Sequence, residues 1–135
     1  MNAAHRQVGF GEAISLFFSN YANFSGRSSR GAYWWWYLAS ILLSVGIQIV
    51  SMIIGYENSG LLTAWSLLSM VVMLALVIPG FAVAVRRLHD VDKSGWWLLI
   101  GIIPLVGAIV LIYLSAQPGT RGANGFGPDV EAGRA

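Results

Sequence analysis

An all-α integral membrane protein, with three spanning helices in one bundle over residues 1–135, is the fold class this sequence predicts, and three observations carry it. Hydrophobic residues fill 56% of the 135 positions and charged residues only 10%, against roughly 25% charged in ordinary soluble domains. The charges are segregated: no Asp, Glu, Lys, Arg or His occurs in residues 31–56, 58–85 or 94–120. Each gap has room for a bilayer-spanning helix, which needs about 20 apolar residues. Aromatic rings crowd the starts of two of these gaps, Tyr33 to Tyr37 and Trp96 with Trp97, where ring types that favour the headgroup level belong.

The first element comes before the spans. Over residues 10–24, Phe10, Ala13, Ile14, Phe17, Phe18, Tyr21 and Phe24 recur at helical spacing, with Glu12, Ser15, Ser19 and Asn20 mostly opposite. This is the pattern of an amphipathic helix. It is expected to lie in the headgroup plane, feeding the chain toward the first span; packing on the end of the bundle is the alternative.

The first span is expected over about residues 32–54, with Arg27 and Arg30 just outside it. A short turn at residues 56–60 follows, punctuated by Asn58 and Gly60. The second span, about residues 61–85, contains Pro79 and Gly80, where a kink is expected because proline donates no backbone hydrogen bond. It ends at Arg86 and Arg87. Ser94 can then cap a third span over about residues 95–114, interrupted by Pro104 and Gly107. The Gly- and Asn-rich tail, residues 115–135, reads as an extension and not as another span.

Orientation follows from the basic residues near the span ends. Arg6, Arg27 and Arg30 precede the first span, none lies in the first turn, and Arg86, Arg87 and Lys93 fill the second connection. The N-terminus and the 86–93 connection are expected in the cytoplasm. Three crossings then put the tail, with Arg121, Arg134, Asp129 and Glu131, on the periplasmic side, and a re-entrant third segment would return it. The start of the chain lacks the basic region, short apolar core and small-residue cleavage site of a secretory signal, so the first span is expected to direct insertion. The Asn23, Phe24, Ser25 triplet matches a glycosylation acceptor but falls on the cytoplasmic side.

Several function classes drop out. A formal charge of +2 with no basic stripe outside the apolar runs gives no footing for nucleic acid. The absence of cysteine excludes disulfides, thiol catalysis and thiolate metal sites. With no ionisable group inside the spans, a proton relay or charge-coupled carrier lacks its usual machinery. No cofactor is implied.

What remains is a polar cluster on one side of the membrane. Arg27, Arg30, Arg86, Arg87, His89, Asp90 and Lys93, with Trp34, Trp96 and Trp97 at headgroup depth, are the candidate site for anionic lipid phosphates or a partner protein, because Arg forks match phosphate oxygens. Plain topological anchoring is the competing explanation. Arg86 and Asp90 are spaced for an intrahelical ion pair beside His89. His89 and Asp90 can also be read as a base and its orienting carboxylate, or with Asp92 as metal ligands. A metal would lack sufficient ligands, since His5 is the only other histidine and lies far off in sequence. Ser40, Ser44, Gln48 and Ser51 share one face of the first span, with Gly55 a turn later. Such a face packs helices within the bundle or between copies of the chain, or alternatively lines a water path.

Three blocks of sequence carry a family resemblance. They are Gly26, Arg27, Ser28, Ser29, Arg30 with Tyr33 and Trp34; Arg86, Arg87, Leu88, His89, Asp90 leading to Lys93, Ser94, Trp96 and Trp97; and residues 117–129. Together these resemble the domain-of-unknown-function 805 family of small bacterial inner-membrane proteins, over nearly everything after about Asn20. The chain departs from that pattern at Ala32, where an acidic residue is frequent, and at Val130, where proline commonly follows the aspartate. The resemblance implies a multi-span inner-membrane protein of unassigned activity, with Arg27, Arg30, Arg86, Arg87, His89, Asp90, Asn124 and Asp129 as its polar signature. It supplies no catalytic residue. The expectation is therefore a non-enzymatic, self-associating membrane module. The alternatives are a small oligomeric channel or carrier for a neutral solute and, last, an enzyme acting on a lipid headgroup through His89 and Asp90.

Overall fold

The computed structural model describes residues 8–131, and among these the chain is helical with no strand. His5, Arg6 and Arg134 lie outside the described residues.

Helix α1, Phe10–Ser19, buries Ala13 and Phe17. The Phe17 ring stacks on Trp36 at 3.5 Å between centroids, and Phe10 meets Trp35 edge-on at 5.9 Å. The apolar stripe thus docks on the aromatic opening of the next helix. α1 stops short of Phe24 because Asn20 turns its side chain back to the Leu16 carbonyl (2.9 Å) and its own carbonyl accepts from Asn23 N (3.0 Å). Asparagine offers the backbone such local alternatives to a helix.

Helix α2, Arg30–Glu57, starts at Ser29, whose hydroxyl accepts from Ala32 N at 3.2 Å. Helix α3, Ser59–Asp90, follows after one residue. Asn58 serves both ends: its N–H donates to Ile54 O, and its side chain accepts from Leu61 N. The turn is therefore tighter than residues 56–60. At 1.5 Å per residue, 28 and 32 residues make helices of about 42 and 48 Å. Their most apolar stretches have mean hydropathies of 2.2 and 2.6 and are 0% and 17% buried. A soluble core helix would bury that surface. Here Leu42, Met52, Val71 and Leu74 face outward, an apolar patch far beyond what water tolerates.

Pro79 sits inside α3 without ending it. Having no N–H, it orphans the carbonyl one turn back, which belongs to Ala75. Tyr21, just beyond α1, donates its hydroxyl to that carbonyl. Tyr21→Phe should therefore cost about 1–2 kcal/mol in detergent unfolding. In a Pro79→Ala background, where Ala75 regains a helical donor, the same change should cost almost nothing. A full cost in both backgrounds would show that the hydroxyl has another role.

Two expectations are corrected beyond this point. The 86–93 connection is shorter than expected, because α3 runs on through Arg86, Arg87 and His89 to Asp90. The third span is not one helix: a 3-10 helix, Gly95–Ile102, breaks and is followed by α4, Val106–Ala116. Pro104 forces Ile103 into an extended conformation (ψ 112°), and Leu105 takes a left-handed φ of 64°. At Gly107 an added Cβ would lie 1.9 Å from the Ile100 carbonyl oxygen, so only glycine permits the approach. The chain reverses, and α4 packs back along the 3-10 helix. At 11 residues α4 is about 16 Å long, roughly half a hydrocarbon core.

The reversal also corrects the position of the tail. Thr120 N donates to Asp90 O at 2.7 Å, so the tail lies beside the end of α3 that the chain left at residue 91, not at the opposite end of the bundle.

Candidate functional site

At this end of the bundle, four segments converge on one carboxylate. Ser25 to Ser29 precede α2, the last turn of α3 supplies Arg86 to Asp90, the hairpin delivers Ser115 and Gln117, and the tail covers them. Asp90 is 0% exposed and lies between two buried guanidiniums. Arg27 Nε donates to its Oδ1 at 2.9 Å, and Arg87 Nη1 donates to its Oδ2. Asp90 thus pairs with Arg87 and Arg27, not with Arg86 as helical spacing suggested, because the loop before α2 places Arg27 against it.

The remaining donors of the two arginines go to backbone carbonyls. Arg27 donates to Gly122 O (2.7 Å) and Thr120 O, with Asp129 at 3.8 Å. Arg87 donates to Ser115 O (2.9 Å), Ser28 O (3.1 Å) and Gln117 O. Apart from Ser28 O, in the segment before α2, these carbonyls belong to the end of the hairpin and the tail, so each guanidinium ties sequence-distant segments together. Among the described residues no buried side-chain nitrogen or oxygen lacks a partner. Gly119 makes the approach possible: a Cβ there would lie 2.2 Å from Asp90 Oδ2.

Arg86 is different. Nε donates to Ser28 Oγ (3.1 Å), and Nη1 donates to Asn20 O (3.1 Å) and Asn23 O. Every one of these acceptors is neutral. The residue is 4% exposed and borders a cavity of about 410 Å³ between α1, the 25–29 segment, α3 and the tail.

His89 and Asp90 do not form a dyad. His89 Nδ1 donates to Gly26 O at 2.9 Å, which places the proton on Nδ1, and the ring stacks on Phe126 at 4.0 Å and 4°. Asn124 donates to the His89 carbonyl at 2.8 Å, and Asp129 accepts from Gly122 N. Asp92 is exposed, and among the described residues no three His, Asp or Glu side chains gather as a metal set.

The other singled-out residues face outward or into the bundle. Arg30, Lys93, Trp96 and Trp97 are exposed, Trp34 is half-buried, and Lys93 Nζ stands 5.9 Å from the Trp97 ring centre. On α2, Ser44 and Ser51 hydroxyls donate to Ser40 O and Ile47 O, and Trp65 Nε1 donates to Ser51 Oγ at 3.0 Å, joining α2 to α3. Ser40 Oγ donates to Tyr37 O. Gln48 is exposed.

Sequence reasoning found the charged members but missed their acceptors, Ser115, Gln117, Thr120 and Gly122, because a carbonyl leaves no mark in side-chain chemistry. It also missed Phe126. The one available signal was the glycine pattern of the tail, where Gly122 and Gly127 adopt φ values of 73° and 136°, a sign of a folded path.

The family described as "Protein of unknown function (DUF805)" matches residues 21–128. The chain is 38% identical over 114 residues to "Inner membrane protein YhaI" of Escherichia coli (strain K12), covering 84% of this chain and 91% of that one. It is 36% identical over 110 residues to "Inner membrane protein YhaH" of the same organism, covering 82% and 88%. "Uncharacterized protein YiiR", also from that strain, is 28% identical over 134 residues, covering 81% and 86%. No solved structure matches.

Proposed function

The chain belongs to the DUF805 family, and on that footing we propose a non-enzymatic inner-membrane module that crosses the bilayer twice, through α2 and α3, and dips a re-entrant hairpin into it. Its relatives are inner-membrane proteins by name. Arg27, Arg30, Arg86, Arg87, Lys93 and Arg121 gather at one end of the bundle and no basic residue lies near Asn58, which supports a cytoplasmic cap by the positive-inside rule. The tail belongs to that cap, and α1 lies at the same interface.

The observation that carries the reading is the division of the cations. Arg27 and Arg87 are turned inward and share the carboxylate of Asp90, so they hold the cap together. Arg30 and Lys93 are exposed, and Lys93 stands beside the exposed Trp97, the composition that engages anionic headgroups. Much of the hairpin tip's backbone is satisfied internally, which suits hydrocarbon: Ile103 N donates to Ile100 O, Val106 N to Pro104 O and Gly107 N to Ile103 O, and Pro104 has no N–H to satisfy. Gln48, an exposed amide within α2, has a motive to pair with a second copy; disulfide capture of Gln48→Cys pairs in membranes reads that contact, and its absence counts against self-association.

Arg30→Gln with Lys93→Gln should weaken association with phosphatidylglycerol nanodiscs without altering unfolding, at about 1 kcal/mol per surface cation. Unchanged lipid preference would remove the lipid-facing part of the reading.

A further inference from the structure

We propose that the cavity bounded by Arg86 is a binding site for a phosphate oxyanion, either the headgroup phosphate of a membrane lipid or free phosphate. The proposal deepens the lipid reading above and moves the recognition from the surface cations to an internal pocket. It starts from charge. Among the described residues the ion pairs of the cap join Arg27 and Arg87 to Asp90 and Arg27 to Asp129, and none reaches Arg86. A guanidinium that is almost fully buried with only neutral acceptors carries a large desolvation cost, which a counter-charge would relieve.

The cavity has the rest of an oxyanion site. Ser28 Oγ accepts from Arg86 and Ser29 Oγ accepts from Ala32 N, so each hydroxyl keeps its own proton to donate. Both line the cavity, as does Ser25 at its exposed edge. Arg86 Nη2 is engaged by no described residue, and since no fully buried polar atom there is left unpaired, that nitrogen is one a ligand can reach. The lining also includes the apolar side chains of Leu16, Phe17 and Val83. A volume of about 410 Å³ is in the range of small-ligand pockets, and a lining that mixes polar and apolar side chains suits an amphiphile. Glu12 also borders the cavity and is itself engaged.

The test uses the full chain in neutral detergent with three probes: dihexanoyl-phosphatidylglycerol, inorganic phosphate, and dihexanoylglycerol, which has the acyl chains without the phosphate. Ser25→Glu puts a carboxylate at the edge of the cavity and leaves the three bonds of Arg86 in place. Arg86→Gln removes the charge but also disturbs the fold, so it is interpreted only beside Ser25→Glu. Binding of the phospholipid should be saturable, and Ser25→Glu should weaken it roughly tenfold or more, about 1.4 kcal/mol. Arg30→Gln with Lys93→Gln should leave it unchanged. If inorganic phosphate alone binds with the same sensitivity to Ser25→Glu, the site is confirmed and its ligand is the free ion. The proposal is overturned if Ser25→Glu binds both phosphate probes as tightly as the parent chain, if neither binds saturably, or if dihexanoylglycerol binds as well as the phospholipid. Loss confined to the Arg30 and Lys93 variant would overturn the cavity while leaving the surface reading intact.

Discussion

Asp90→Asn should be the most damaging single conservative substitution in the cap, lowering stability by about 3–5 kcal/mol in detergent unfolding. The amide is nearly isosteric, so packing is preserved. It removes the only charge between Arg27 and Arg87, both buried, and it presents an NH₂ group to at least one guanidinium donor. Two like charges would then share a site with no counter-ion between them. The loss should extend to tail docking, because Arg27 holds Thr120 and Gly122 only while Asp90 holds Arg27. Asp92→Asn is the control: Asp92 is exposed, two residues away, and should change stability by less than about 0.5 kcal/mol. Equal effects from the two substitutions would mean that Asp90 is not the centre of the cap.

Gly107→Ala should separate the hairpin. Its Cβ would meet the Ile100 carbonyl oxygen at 1.9 Å, the carbonyl carbon at 2.7 Å and Gly101 Cα at 2.8 Å. These are backbone atoms, and no side chain can swing aside. Overpacking of this kind costs about 1–3 kcal/mol and occasionally more; here the greater part is expected as displaced α4 and faster proteolysis of the tail, since Ser115 and Gln117 would leave Arg87. Gly80→Ala, with nothing within 4 Å of the added carbon, should instead gain up to about 1 kcal/mol from helix propensity. A Gly107→Ala protein with unchanged stability and protease resistance would contradict the tight reversal.

The legibility of this chain in its sequence differs by element. The two long helices were readable because hydrocarbon length and charge exclusion are one-dimensional properties. So was the cap at Ser94, which accepts the Trp96 N–H. The third apolar stretch failed because composition alone cannot tell a crossing from a reversal. Pro104 and Gly107 were seen as interruptions, but the left-handed turn at Leu105 and the contact with Ile100 are tertiary facts. The same reading put the tail at the far end of the bundle and hid the acceptors of Arg27 and Arg87. Helical spacing correctly grouped Arg86, Arg87, His89 and Asp90, yet it paired Asp90 with the wrong arginine, because the residue that decides, Arg27, is 63 positions away.

The position of the tail tests the central claim most directly, and the absence of cysteine makes the measurement clean. Single cysteines at the exposed positions Ala123, Asp92 and Ser59 would be probed in spheroplasts with a membrane-impermeant thiol reagent, before and after permeabilisation. A re-entrant hairpin predicts that Ser59→Cys labels at once, while Asp92→Cys and Ala123→Cys label together and only after permeabilisation. Labelling of Ala123→Cys from outside, with Asp92→Cys still protected, would mean that the third segment crosses the membrane and that the cap does not exist in the cell.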